Sequence, residues 1–167
     1  NYLSLSNNRN KPISATIMKY PIGIQSFDRI IEDGYVYIDK TDMVYNLVRE
    51  GSIYFLSRPR RFGKSLLVST LKNYFMGRKE LFRGLKIDRL EKEWNAYPVF
   101  HIDFNGGEYT CSGLLKDAII SYLSDWEREY GINDGFQDAN PGFRFRKILA
   151  KAHELTPKRR ENWQTDG

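Results

Sequence analysis

Gly63, Lys64 and Ser65 close a short basic loop in the stretch SIYFLSRPRRFGKS, residues 52–65, and residues of these types suit a polyphosphate. Such an anion needs donors that converge without side chains in the way. Backbone N–H groups at a helix start supply them, together with the favourable end of the helix dipole. In a loop of this kind the glycine lets the backbone come close, Lys64 reaches the β- and γ-phosphates, and the Ser65 hydroxyl sits on Mg²⁺. Arg60 and Arg61 add two forked cations, able to hold phosphate oxygens bidentately or to contact whatever approaches the mouth of the site. Phe62 is placed to pack under the loop, and Leu66 begins the apolar face of the next helix.

The pattern G-x-x-x-x-G-K-[ST] asks for glycine where this chain has Arg58, so the motif is incomplete as a string, and Gly-Lys-Ser alone is a common tripeptide at helix starts. Its placement carries more weight. Ile53, Tyr54, Phe55 and Leu56 form an apolar run that suits a buried parallel strand, and Leu66, Leu67, Leu71, Tyr74 and Phe75 recur at helical spacing after the loop. A P-loop requires that strand–loop–helix context.

The elements around it read as α/β. Residues 24–31 predict a short helix closed by Asp33-Gly34, residues 35–38 a strand, and residues 41–50 a helix capped by Thr41 or Asp42 and stopped by Gly51. With the loop-bearing strand this makes a βαβ pattern and a parallel sheet. KELFRGL and LEKEWNAY read as short helical pieces, and VFHIDF, residues 99–104, as a further strand stopped at residues 105–107. Residues 112–130 predict an amphipathic helix with Leu115, Ala118, Ile119, Tyr122, Leu123 and Trp126 on its core face. A last helix spans about residues 143–155. Residues 1–17 read as a leader without a fold, Met18 as a natural start, and residues 156–167 as a polar tail. Glu91, Glu93, Glu127 and Glu129 read as solvated helix faces.

Composition narrows the class. A chain of 167 residues with 41% hydrophobic content can form one domain with a core. The formal charge of +5, concentrated around the loop, favours an anionic ligand. The single cysteine, Cys111, excludes an intramolecular disulfide framework, and with His101 and His153 as the two histidines no zinc-type spacing exists. No apolar run approaches the roughly 20 residues of a membrane span, so the default expectation is the cytoplasm. His101, between Phe100 and Ile102, reads as a structural side chain.

Taken together, PIGIQSFDRIIEDGYVYIDKT, YFLSRPRRFGKSLLVSTLKNYF, KELFRGLKI and YPVFHIDF resemble the predicted AAA-ATPase-like family. These are bacterial proteins that usually join a P-loop ATPase to a C-terminal nuclease-like domain of the PD-(D/E)XK type. The likeness covers residues 18–155 and extends to the R-P-R-R-F-G-K-S loop itself. It implies a P-loop NTPase-like three-layer sandwich with a mainly parallel sheet, here the front part of a larger domain, with ATP and Mg²⁺ as cofactors. It implies phosphate and Mg²⁺ roles for Lys64 and Ser65, and a ligand-contacting loop running from Arg60 through Arg61, Phe62 and Gly63 to Leu66. It also implies nucleic acid as a partner of the nuclease-like domain, and assemblies in which a neighbour's arginine completes the site.

The family's apolar strand ending in Asp-Glu does not follow the last helix, where this chain reads TPKRRENWQTDG. Hydrolysis needs a carboxylate for Mg²⁺ and a group to orient water. Asp103, at the end of a predicted strand, is a candidate for the first role, against the ordinary role of capping the turn beyond it. The expectation is therefore ATP binding with weak or no hydrolysis, an unpaired sheet edge and poor solubility. A nucleic-acid-binding module built on Arg58, Arg60, Arg61 and the nearby lysines is the alternative, and an inactive fragment is the third reading. For the adenine contact the segment Asp39-Lys40-Thr41 is a candidate, competing with its role as strand end and helix cap.

Overall fold

A computed structural model describes residues 19–57, 59, 61–104, 112–133, 135 and 139–156. Arg58, Arg60, Cys111, the leader with Met18, the turn at 105–107 and the tail from 157 lie outside the described residues. The helices are α1 (Phe27–Glu32), α2 (Thr41–Glu50), α3 (Lys64–Phe75), α4 (Lys86–Leu90), α5 (Ser112–Glu129) and α6 (Pro141–Leu155), with a 3₁₀ turn at Lys79–Phe82.

The first core forms around Phe27 and Phe82, both fully buried, with ring centroids 4.7 Å apart. Val44 of α2, Leu81 and Ile87 complete it, and Leu66, Leu67, Leu71 and Tyr74 of α3 pack against it. Each buried phenylalanine contributes about 1.5–3 kcal/mol relative to exposure. Two polar contacts fix α1 against α3. The Phe27 N–H donates to the Ser69 hydroxyl at 2.9 Å, and Arg78 joins Glu32 at 2.8 Å and Asn73 at 3.2 Å. Two helix ends follow the expected punctuation, Asp33 and Gly34 closing α1 and Gly51 ending α2. Two starts do not: α2 begins at Thr41 with Lys40 at the cap in place of Thr41 or Asp42, and α6 begins at Pro141, inside the expected loop before residue 143, with Asn140 capping it through the Gly142 N–H.

The expected three-layer sandwich with a mainly parallel sheet is overturned: among the described residues there is no strand, only an isolated parallel bridge between Lys19 and Tyr35. The reason is physical. A helix satisfies its own backbone groups, whereas an extended segment forms a strand only beside a partner. Here the three apolar segments go to different surroundings. Tyr37 packs edge-on against Phe27 at 5.3 Å, and Phe100 joins α5 and α6. The segment with Ile53 and Phe55 faces outward, those two side chains being 92% and 94% exposed. Tyr54 and Phe55 are thus not the core residues their run suggests; the Tyr54 hydroxyl donates to the Leu47 carbonyl. LEKEWNAY also departs from the helical expectation, because α4 ends at Leu90 and the chain beyond is irregular.

The second core joins α5 and α6 through Leu123, Trp126 and Ile148, with Phe100 and Phe145 packed on it. Its polar centre is Arg144, whose side chain is 2% exposed. It donates to both Glu127 oxygens, at 2.8 and 2.7 Å, and to the Ser124 hydroxyl at 2.9 Å. Glu127 is therefore an interior partner rather than a solvated face. Removing one member of such a pair leaves the other buried without compensation, so Glu127→Ala is expected to cost about 3 kcal/mol, and Ser124→Ala about 1 kcal/mol. Urea unfolding followed by circular dichroism checks both; equal, small losses would mean that the pair contributes nothing beyond packing.

Candidate functional site

The start of α3 is built by backbone geometry. Gly63, at the N-cap, is left-handed (φ 73°), and Arg61, two residues earlier, is left-handed as well (φ 66°). Glycine tolerates this conformation and arginine does not, at a cost of roughly 1–2 kcal/mol. The N-cap residue, a glycine, offers no side chain to cap the helix. Lys64 and Ser65 occupy its first turn.

One face of α3, Lys64, Ser65, Val68, Ser69, Lys72, Asn73 and Met76, forms the floor of a trough of about 770 Å³. Gln25, Ser26 and Asp28 around the start of α1, together with Arg78, His101, Ile102 and Asp103, complete its lining. The last three residues are held from behind: the Tyr122 hydroxyl of α5 donates to the Asp103 carbonyl at 2.7 Å and accepts from its N–H at 3.1 Å. Asp28 accepts a short hydrogen bond from the Ser26 hydroxyl, which holds its carboxyl below the usual range.

The trough thus brings together three of the residues singled out from the sequence, Lys64, Ser65 and Asp103. Phe62, Gly63 and Leu66 line a different, apolar cavity on the other side of the helix start. Arg61 is exposed and lines neither, and Arg60 lies outside the described residues. Sequence reasoning missed Asp28, took Lys72 and Arg78 only as part of the basic run that favours an anionic ligand, and read His101 as structural; all four line the trough. A signal existed for the α3 members, because 64, 65, 69, 72 and 73 are polar residues lying off the apolar face. The α1 residues had none. Among the described residues no group of three or more His, Cys, Asp or Glu is gathered to hold a metal. Ser65 and Asp103 offer the hard oxygen donors that Mg²⁺ takes, and it binds through one or two carboxylates, waters and phosphates rather than a full protein cage.

The segment Asp39-Lys40-Thr41 divides between two tasks. Asp39 accepts from the Thr41 N–H at 2.9 Å, the Thr41 hydroxyl at 2.7 Å and the Lys86 N–H at 2.7 Å. Thr41, fully buried, accepts in turn from the Ile87 N–H. The two side chains bind the start of α2 to the start of α4, and Lys86 adds an ion pair to Asp42 at 3.0 Å. The cap position itself is Lys40, which lines the apolar cavity.

With this geometry in hand, comparison with known proteins is direct. The predicted AAA-ATPase family matches residues 21–159, and the chain belongs to it. A curated relative, described as an uncharacterized protein in vnfD 5′region of Azotobacter chroococcum mcd 1, is 42% identical over 138 residues, covering 81% of this chain and 26% of the relative. The chain thus spans about a quarter of that protein's length. No solved structure matches it significantly. Among the described residues no helix is long and apolar enough to cross a membrane.

The Asp39 junction carries a titrating group of its own. Burial works to raise its carboxyl, but the hydrogen bonds from Thr41 and Lys86 outweigh this and hold it below the usual range. A lowered folded-state value stabilises the fold above the unfolded value of about 3.9, and this contribution is lost as pH falls through the folded one. Asp39→Ala is expected to cost about 2 kcal/mol at pH 7, with the gap to wild type closing below about pH 4. Denaturant midpoints at pH 7 and pH 3 check this; a gap constant with pH would exclude the carboxylate as its source.

Proposed function

We propose that this chain binds a nucleoside triphosphate with Mg²⁺ at the start of α3, ATP being the ligand that its family favours. The observation that carries the reading is the trough, whose lining includes Lys64, Ser65 and Asp103. Lys64 supplies charge to the β- and γ-phosphates, and the Ser65 hydroxyl and Asp103 carboxylate supply oxygen ligands for Mg²⁺. The family assignment supports the same chemistry from an independent direction.

Turnover is a separate demand. A water attacking the γ-phosphate needs a group to orient it, and the trough's other carboxylate, Asp28, is already engaged by Ser26. Binding with slow or no hydrolysis is the outcome this arrangement favours.

The test is binding of a fluorescent ATP analogue to the full chain, with thermal unfolding in parallel. Ligand at 100 times its dissociation constant is expected to stabilise the wild type by about 2.7 kcal/mol. Lys64→Ala should abolish most of this; retained binding in that variant overturns the proposal. Asp103→Asn should keep Mg²⁺-free binding and lose the gain in affinity that Mg²⁺ brings, as titrations with and without the cation will read. Duplex DNA binding with a steep salt dependence, about 0.9 in log–log slope per phosphate contacted, in a chain that ignores ATP would favour the nucleic-acid reading instead.

A further inference from the structure

Residues 100–103 carry three members of the trough lining, His101, Ile102 and Asp103, yet they belong to no helix or strand. Extended backbone keeps a fixed place when its polar groups are paired. Among the described residues, Phe100, His101 and Ile102 make no backbone–backbone hydrogen bond. What holds the segment comes from α5. At one end the Phe100 ring packs edge-on against Trp126, with centroids 5.0 Å apart. At the other, the Tyr122 hydroxyl accepts from the Asp103 N–H at 3.1 Å and donates to the Asp103 carbonyl at 2.7 Å. A single oxygen thus answers both main-chain groups of one residue, the part that a neighbouring strand plays in an antiparallel ladder.

We propose that Tyr122 is a positioning residue of the candidate site: by fixing the main chain of Asp103 it sets where that carboxylate stands, and so governs the Mg²⁺-dependent part of nucleotide binding. The inference rests on the nucleotide reading above. Tyr122 does not line the trough and acts through Asp103. Its own place is secured in turn, because its ring stacks on the buried Trp126 with centroids 5.8 Å apart. Lys64 and Ser65 are carried by α3, whose apolar face packs on the first core, whereas Asp103 is held from the second. Tyr122 is the polar link by which the second core reaches the site.

The demand on that link comes from the cation. Mg²⁺ requires near-octahedral geometry, so a carboxylate serves it only when held in place. Groups that orient a metal ligand from behind typically change metal affinity about 10–100-fold. A packing role for Tyr122 makes a different forecast, since Tyr122→Phe keeps the ring and its stacking and removes the oxygen alone. Ser124 provides the control: it lies on the same helix, and its hydroxyl serves Arg144 of the second core rather than the trough.

The experiment titrates a fluorescent ATP analogue against the full chain with and without Mg²⁺. The wild type is compared with Tyr122→Phe, Asp103→Asn, the double variant of these two and Ser124→Ala, and circular dichroism confirms that each folds. Tyr122→Phe is expected to keep its Mg²⁺-free affinity while its gain from Mg²⁺ falls about tenfold. The double variant should lose no more than Asp103→Asn alone, because residues that act through one group are not additive. Ser124→Ala should keep the whole gain. An undiminished gain in Tyr122→Phe overturns the positioning role and leaves the phosphate site standing. So does an equal loss in Ser124→Ala, which would make the effect one of core stability, and so does a further loss in the double variant, which would route the effect past Asp103. A wild type that binds nucleotide without any gain from Mg²⁺ removes the cation role of Asp103 and that of Tyr122 together. A wild type that binds no nucleotide at all removes the nucleotide reading and this one with it.

Discussion

The burial of Phe27 is the constraint from which the candidate site takes its shape. Its ring is enclosed by Phe82 and Tyr37, and its N–H is answered by Ser69 on α3. One residue therefore ties the apolar core to the polar face of the helix that carries Lys64. Because the ring cannot leave without exposing the core, the segment bearing Ser26 and Asp28 stands at a fixed separation from the floor bearing Ser65 and Ser69. The trough is the space left over when that packing is satisfied.

α3 works as a partition. Its Leu66, Leu67, Leu71 and Tyr74 contribute to the core, its Lys64, Ser65 and Lys72 to the trough, and the residues at its start to a second, apolar recess. The anionic end of a nucleotide needs the polar side of this partition, and that side is the physical basis of both functional proposals. The left-handed backbone at Arg61 belongs to the same design: strain just before the helix start is a feature that binding loops carry and surface loops generally do not.

How much could be read beforehand depended on the range of the interactions concerned. Some helix limits were legible because their causes are local, as where Gly51 stops α2 and Asp33 with Gly34 closes α1, whereas the start of α6 at Asn140 and Pro141 lies in a stretch that reads as loop. Lys64 and Ser65 were legible because adjacent residue types carry the motif. The sheet was not, because pairing of residues 35–38, 53–57 and 99–104 depends on partners far apart in the chain, and an apolar run such as residues 53–56 looks the same paired or bare. Glu127 was misplaced for a similar reason. Its helix shows a charged residue beside Glu129, and only α6, which brings Arg144, turns that charge inward. Asp103 lay between the two cases, its type visible and its place beside Lys64 set by Tyr122 from another helix.

The bond between Asp39 and Lys86 also bears on how α3 is held. Its partners lie 47 residues apart, and the loop at Arg61 and the whole of α3 fall between them. Closing a span of this length costs chain entropy before any contact repays it, so the junction of α2 with α4 ties off a loop that contains the whole of α3, and losing that junction would release the helix's surroundings on one side while its bond to α1 remained.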